Sequence, residues 1–598
     1  MRLPSMLVAL AFSFAAAAPC LAQGMEVRAG APVRIEVAHV DAVVDEGVAR
    51  VEVDETFRNL TDAVQEGVWR FKLPEDAVIG SFSMWMEGRE KQGRVLEAVQ
   101  ARRIYDSIVR TKRDPGLLEQ TGWREFRVNV FPIPAKDTVR VRLVYSHVVR
   151  DELGLETLEV ALPQGAGAIG DLRVHATVRS SHGISGIDCP SNADAKVIAD
   201  ANCGEVTWGG DGVEPKRAFV IRSIPRRTGF DVTVLASRPA GSDEGWFVAR
   251  VVPKLDAPPV IPRDVVFVID RSGSMEGRKI EQARAALLRG LGTLKSGDRF
   301  DVVSFSSDVT SLGEGRMMPA TEESVERAKR AVRDISAGGG TNIDGALEAA
   351  LAERAEEPGR LGAVVFLTDG DATVGETNPD RILAGWSRRS GPTRLYALGV
   401  GADVKDFLLT KLAVLGRGDA QYVRDEDALE VKLSALFDRV KTPLLLDPSV
   451  EISGEGVEIL DREPRRLPDV FQGRALVVAG RYKGAGKATL RLTGHAGASE
   501  VKLDVPVELP AETPPRPFLA QIWAKARIER LLDELRIAGG GAEIRDQVLR
   551  LALRHQLVTP FTSFLVVEDG VKLPGDETAR LPGVAAPPEV IQIGRAHV

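Results

Sequence analysis

Residues 264–274 read Asp-Val-Val-Phe-Val-Ile-Asp-Arg-Ser-Gly-Ser. Val265 to Ile269 are apolar without a break, so neither face of this segment suits water. That pattern predicts a strand covered on both sides, as in a parallel sheet. Similar runs recur at Arg299–Phe305, Gly362–Asp369 and Arg394–Val400. Between and after them, amphipathic stretches predict helices near 278–294, 321–336, 343–356, 379–389, 404–415 and 427–441. Buried strands alternating with helices predict a doubly wound parallel α/β domain over 263–442.

In such sheets the loops at the carboxyl ends of the strands form the binding crevice where strand order reverses. Three turns carry candidate ligands there. The first strand ends in Asp270-Arg271-Ser272-Gly273-Ser274, an Asp-x-Ser-x-Ser turn. Gly338-Gly339-Gly340-Thr341 opens the helix at 343, and the strand at 362 ends in Asp369-Gly370. If 264–270 and 362–368 are central neighbours, the three turns meet. Two carboxylates and three hydroxyls, without His or Cys, make a hard oxygen donor set suited to Mg²⁺, with Mn²⁺ or Ca²⁺ as alternatives. The two Asp charges balance the ion, and neutral hydroxyls leave it electrophilic toward an incoming carboxylate. Taken singly, an Asp after a strand reads equally as a turn or cap residue. Asp371 reads as solvent-facing.

The flanking chain is strand-rich. Residues 25–155 alternate apolar and polar at Val33–Val37, Ala49–Phe57, Gly67–Leu73 and Arg140–Tyr145, with a helical interlude near 95–112. Residues 156–262 continue as short strands and end in a Pro-rich linker, 257–262. The strand pattern returns over 443–512. The expected architecture places the α/β domain between two β segments that could form one composite sandwich. Over 513–570, helices at 518–537 and 542–555 precede a final strand, 564–567. Residues 571–598 lack periodicity and read as a tail, its last six residues resembling a translated sequencing adapter, which would leave the natural C-terminus missing.

Two resemblances follow from these phrases. FRNLTDAVQEGVWRFKLPEDAVIGSF, GRVLEAVQARRIYDSIV, GLLEQTGWREFRVNVFPIP and VRLVY, in that order, resemble the vault/inter-alpha-trypsin (VIT) domain. Asp-x-Ser-x-Ser, then Thr, then Asp resembles the metal-ion-dependent adhesion site of von Willebrand factor type A (VWA) domains. That resemblance implies that Asp270, Ser272 and Ser274 face a divalent ion, with Thr341 binding directly or through water and Asp369 mainly through water. The order of both domains, with LPDVFQGRALVVAGRY and LVTPFTSFLVVED behind them, resembles inter-alpha-trypsin inhibitor heavy chains over about 25–567. This implies a multidomain adhesion protein that takes a protein carboxylate through Mg²⁺. Those heavy chains are processed at Asp-Pro-His-Phe and esterified to a glycosaminoglycan. Here Asp447-Pro448 continues as Ser449-Val450, so covalent attachment to hyaluronan is not implied.

Composition sets the outer bounds. The 598 residues suggest several domains. At 44% hydrophobic and 27% charged, the chain is neither collagen-like nor wholly disordered. A net charge of −7 gives no overall footprint for nucleic acid. Residues 1–22 read as a secretory signal, with Arg2, an apolar run from Met6 to Ala18, and Cys20-Leu21-Ala22 as the cleavage site. That run is too short to span a membrane, and Pro19 fits lipidation at Cys20 poorly. Export to the periplasm, cell surface or medium is expected, and with it a disulfide between Cys189 and Cys203, worth roughly 3 kcal/mol.

An enzyme finds little support. Gly-x-Ser-x-Gly and His-Glu-x-x-His are absent, and Gly484-Ala485-Gly486-Lys487 lacks the rest of a phosphate loop. A metal-dependent hydrolase and a metal that only ties loops together are the two rival readings.

Overall fold

The Val48–Asn59 strand turns Val51, Val53 and Phe57 inward and Arg50 and Glu52 outward. In this computed structural model it is central to an eight-stranded sheet, between Val33–Asp45 and Thr138–Val148. The structure describes residues 24–567 apart from 28–32, 75, 111–114, 123, 153, 165–166, 228–230, 253–260, 353–356, 358–359, 402–405, 424–436, 438–442, 472–474, 497–498 and 539–540. The expected signal, most of the Pro-rich linker, almost all of the helix at 427–441 and the tail lie outside the described residues.

The eight-stranded sheet packs on a six-stranded one. Trp69, Phe71 and Val128 of the latter meet Phe57, Phe82 and Leu143 of the former in one core. Two pairings cross the borders drawn from sequence. Ile169–Arg179, from the segment after 155, runs parallel to Val33–Asp45, with Val174 opposite Val40. Thr562–Val566 inserts between Gly116–Gly122 and Arg94–Glu97 in the six-stranded sheet.

A second sandwich forms on either side of the α/β domain. Glu244–Val252 precedes that domain in sequence and Leu476–Gly484 follows it, yet they pair antiparallel, with Phe247 opposite Gly480. Their inner residues Phe247 and Val251 pack on Val450, Leu490 and Leu492 of the facing sheet. This is the composite sandwich expected from sequence for 231–252, whereas Ile169–Arg179, Lys196–Ala199 and Cys203–Val213 join the N-terminal sheet. The Pro517–Ala538 helix lies against both sandwiches, its Leu519, Ile522 and Trp523 sharing a core with Val48, Val78, Val248 and Ala479. It also reaches the α/β domain, where Lys411 Nζ is 3.3 Å from Glu529 and 3.1 Å from Asp533.

In the α/β domain the strand order is 309–311, 299–305, 263–270, 361–368, 394–400, 419–423, parallel except at 309–311 and at Met318–Pro319, both of which pair antiparallel with 299–305. Every residue of Arg263–Asp270 is buried. Helices Arg278–Leu291 and Glu322–Arg333 share one core with this sheet; Ile343–Ala352, Pro379–Arg389 and Asp406–Leu415 share the other. The domain is therefore doubly wound.

Cys189 and Cys203, expected as a disulfide, stand unbonded in this structure. Cys189 follows Ile184–Asp188, which pairs with Phe219–Pro225 in a separate four-stranded sheet, and its Sγ lies 3.6 Å from Ser191 Oγ. Cys203 opens Cys203–Val213 in the eight-stranded sheet.

Glu55 takes the inward place between Val53 and Phe57. It is 1% exposed, and neither carboxylate oxygen has a hydrogen-bond partner among the described residues. Next to it, Asp54 faces outward into Arg140 and Arg142 at 2.7–3.1 Å. Burial, with a smaller contribution from Asp54, pushes the Glu55 carboxyl up to about 8 from an ordinary 4.5. A raised folded-state pKa means that stability is complete below about pH 4.5 and is lost as pH climbs through 8. At pH 7 the loss is roughly 3 kcal/mol. Glu55→Gln should therefore flatten the fall in Tm between pH 6.5 and 8.5 and melt above the wild type at pH 8.5. Parallel Tm–pH curves for the two proteins would clear Glu55 of this role.

Candidate metal centre

Strand order reverses between Arg263–Asp270 and Leu361–Thr368. The first has 299–305 on its other side and the second has 394–400. Their parallel register pairs Ile269 with Leu367, so Asp270 and Thr368 end side by side. The Thr368 hydroxyl donates to Asp270 Oδ2 at 2.5 Å and the Ser272 N–H donates to Oδ1 at 2.8 Å. Asp270 is wholly buried. Burial raises its carboxyl above the ordinary value; the Thr368 and Ser272 donors oppose this, and the charge on Asp369 adds to it.

Beyond Asp270 the chain makes one 3₁₀ turn, Gly273–Met275, pinned by the buried Met275. This turn brings Ser272 Oγ to 3.1 Å from Ser274 Oγ, and the Ser274 hydroxyl donates to Asp369 Oδ1 at 2.9 Å. Asp369, just past the second strand, is buried as well.

The glycine-rich turn is tied to both neighbours through backbone. Gly338 N–H donates to Arg271 O at 2.7 Å, and Gly273 N–H donates to Gly339 O at 2.9 Å. Thr341 N–H donates to Thr373 Oγ1 at 2.8 Å, while Thr341 O accepts from Thr373 N–H at 2.9 Å and Val374 N–H at 3.2 Å. A Cβ on Gly340 would sit 2.4 Å from Val374 Cγ2, so a larger residue here would force Val374 to move. Gly339 has φ +89°, a left-handed conformation in which glycine carries no penalty. The three turns predicted to meet do meet. Asp270, Ser272, Ser274 and Asp369 form one hydrogen-bonded chain, and the glycine-rich loop that carries Thr341 is bonded to the first turn at Gly338 and Gly339. Asp371 is exposed, as expected.

Two participants escaped the sequence reading. Thr368 had looked like an ordinary strand residue, although its position before Asp369 and its register with Ile269 place it against Asp270. Lys279, on the first turn of the helix that follows the Asp-x-Ser-x-Ser turn, puts Nζ 2.7 Å from Asp369 Oδ2. Its only sequence signal is the short spacing from Ser274.

The donor set fits a small hard cation. Neighbouring vertices of an octahedron with metal–oxygen distances of 2.0–2.1 Å lie about 3.0 Å apart, and the Ser272–Ser274 and Ser274–Asp369 oxygens are 3.1 and 2.9 Å apart. Among the described residues no cluster of three or more His, Cys, Asp or Glu side chains suits a metal. Hydroxyls therefore have to complete any site built here.

Comparison with known proteins agrees with this architecture. Residues 35–145 match the Vault protein inter-alpha-trypsin domain and residues 263–422 the von Willebrand factor type A domain. The chain thus carries a VIT domain followed by a VWA domain. Over 88% of its length it is 30% identical to inter-alpha-trypsin inhibitor heavy chain H4 of Bos taurus and of Homo sapiens. It is 28% identical to heavy chain H3 of Bos taurus over 85% of its length. The chain spans about 60% of the length of these curated relatives. A solved von Willebrand factor type A structure from Catenulispora acidiphila overlaps 55% of this chain and 87% of its own, with TM-score 0.41 and 18% identity.

Thr368→Val keeps the shape of the strand end and removes one donor from a buried carboxylate. In EDTA it should cost about 1–3 kcal/mol, read as a lower denaturant midpoint at unchanged m-value. An unchanged midpoint would show that Asp270 does not depend on this hydroxyl.

Proposed function

We propose that the chain is an exported, non-enzymatic interaction protein whose VWA domain holds Mg²⁺ at Asp270, Ser272, Ser274, Thr341 and Asp369 and captures a carboxylate of a partner protein there. The observation that carries this reading is the row of oxygens from Ser272 through Ser274 to Asp369, at 3.1 and 2.9 Å, at the point of strand-order reversal. A bound Mg²⁺ supplies an electrophilic point for an anionic oxygen. The protein's part is to present neutral hydroxyls alongside only two carboxylates, so that the ion's charge is not exhausted by the protein. The buried Asp270 is held from two sides, which fixes the turn carrying both serines before any ligand arrives.

Similarity to heavy chains supports an interaction role outside the cell, and the signal-like residues 1–22 support export. No helix among the described residues is long and apolar enough to cross a membrane. A purely structural ion would favour a site filled by protein donors; the exposed Ser274 instead places one edge of the row at the surface.

In the test, Mg²⁺ is titrated into the wild-type chain by calorimetry, and the chain is laid on an array of acidic peptides with Mg²⁺ or with EDTA. Mg²⁺ should bind, and retention on the array should need it. Asp270→Ala and Thr341→Ala should lose both while still unfolding cooperatively. Retention that persists in EDTA would overturn the carboxylate-capture reading, and Mg²⁺-dependent turnover of the array peptides would favour a hydrolase.

A further inference from the structure

Lys279 is the one cationic side chain seen on the carboxylates of the site among the described residues. Its ammonium lies 2.7 Å from Asp369 Oδ2, and the Asp369 side chain is 2% exposed against 24% for Lys279. The pair is therefore buried at its acidic end and open at its basic end. The other site oxygens are also satisfied from within: Asp369 Oδ1 by the Ser274 hydroxyl, and Asp270 by Thr368 and the Ser272 N–H. Every carboxylate oxygen thus has a protein donor without any ion.

We infer that Lys279 is a built-in counter-ion that occupies Asp369 in the metal-free protein and is displaced by the divalent cation, thereby setting the affinity of the site. This rests on the metal reading above. The Lys279 ammonium offsets part of the charge of the two acidic side chains, which favours their burial. A dication sharing Asp369 would stand within a few ångströms of the ammonium, where like charges repel strongly. A lysine suits such an exchange. It is a compact charge on a flexible stem, and its partial exposure gives the ammonium a route toward water while the helix stays in place. Once displaced, the side chain leaves Asp369 to the ion, so each binding event must break one partly buried ion pair.

The test compares wild type, Lys279→Met and Asp369→Asn in the full chain, with Mg²⁺ alone as the probe. Calorimetry gives affinity, and thermal melts in EDTA and in saturating Mg²⁺ give the state of the cluster. Lys279→Met should bind Mg²⁺ about tenfold more tightly, the equivalent of one modest ion pair. It should melt below the wild type in EDTA and regain the difference in Mg²⁺. Asp369→Asn should lose Mg²⁺ affinity. Unchanged or weaker Mg²⁺ affinity in Lys279→Met, with the wild type binding, would overturn the role of Lys279 and leave the metal reading standing. No Mg²⁺ binding by any of the three proteins would overturn both.

Discussion

Two carboxylates buried side by side are costly, and the α/β domain is arranged around that cost. Asp270 and Asp369 follow adjacent parallel strands, each out of water and close enough for one to disfavour the charge of the other. An uncompensated buried charge costs several kcal/mol, so the fold brings donors to both. The register of the central strands supplies Thr368, the 3₁₀ turn supplies the Ser272 amide and the Ser274 hydroxyl, and the first helical turn supplies Lys279. The glycine-rich turn approaches closely where residue 340 lacks a Cβ. Neutralising those charges and forming the binding edge are one structural task.

The parts of this arrangement that depend on local pattern were readable in the sequence. An uninterrupted apolar run such as Val265–Ile269 has one plausible home, and the two polar turns that follow such runs at 270 and 369 are directed to one end of the sheet because the strands are parallel. The helices at 379–389 and 542–555 start and stop where their sequence signals place them. Lys279 was not readable because its partner is a strand end far along the chain, and a lysine in a first helical turn looks solvent-bound. Glu55 shows the opposite failure. Period-two alternation through Val51, Val53 and Phe57 does turn it inward, but an ionisable residue is ordinarily read as a surface residue.

Domain borders were the least readable feature, for a topological reason. Composition changes at 263, where the character of the strands changes, but nothing local tells a strand at 169 that its neighbour lies at 33–45. The composite sandwich was inferable because strands on either side of an inserted domain share one problem, an apolar face without a partner.

Thr562–Val566 lies between two strands that are complete within the first 122 residues. During synthesis the six-stranded sheet therefore stays one strand short until residue 562 has been made. A nascent chain in that condition presents two unpaired edges, the geometry that holdase chaperones shield and that self-association exploits. A strand contributed from more than 400 residues away closes the N-terminal sheet, so that sheet is sealed only when both ends of the described chain have come together.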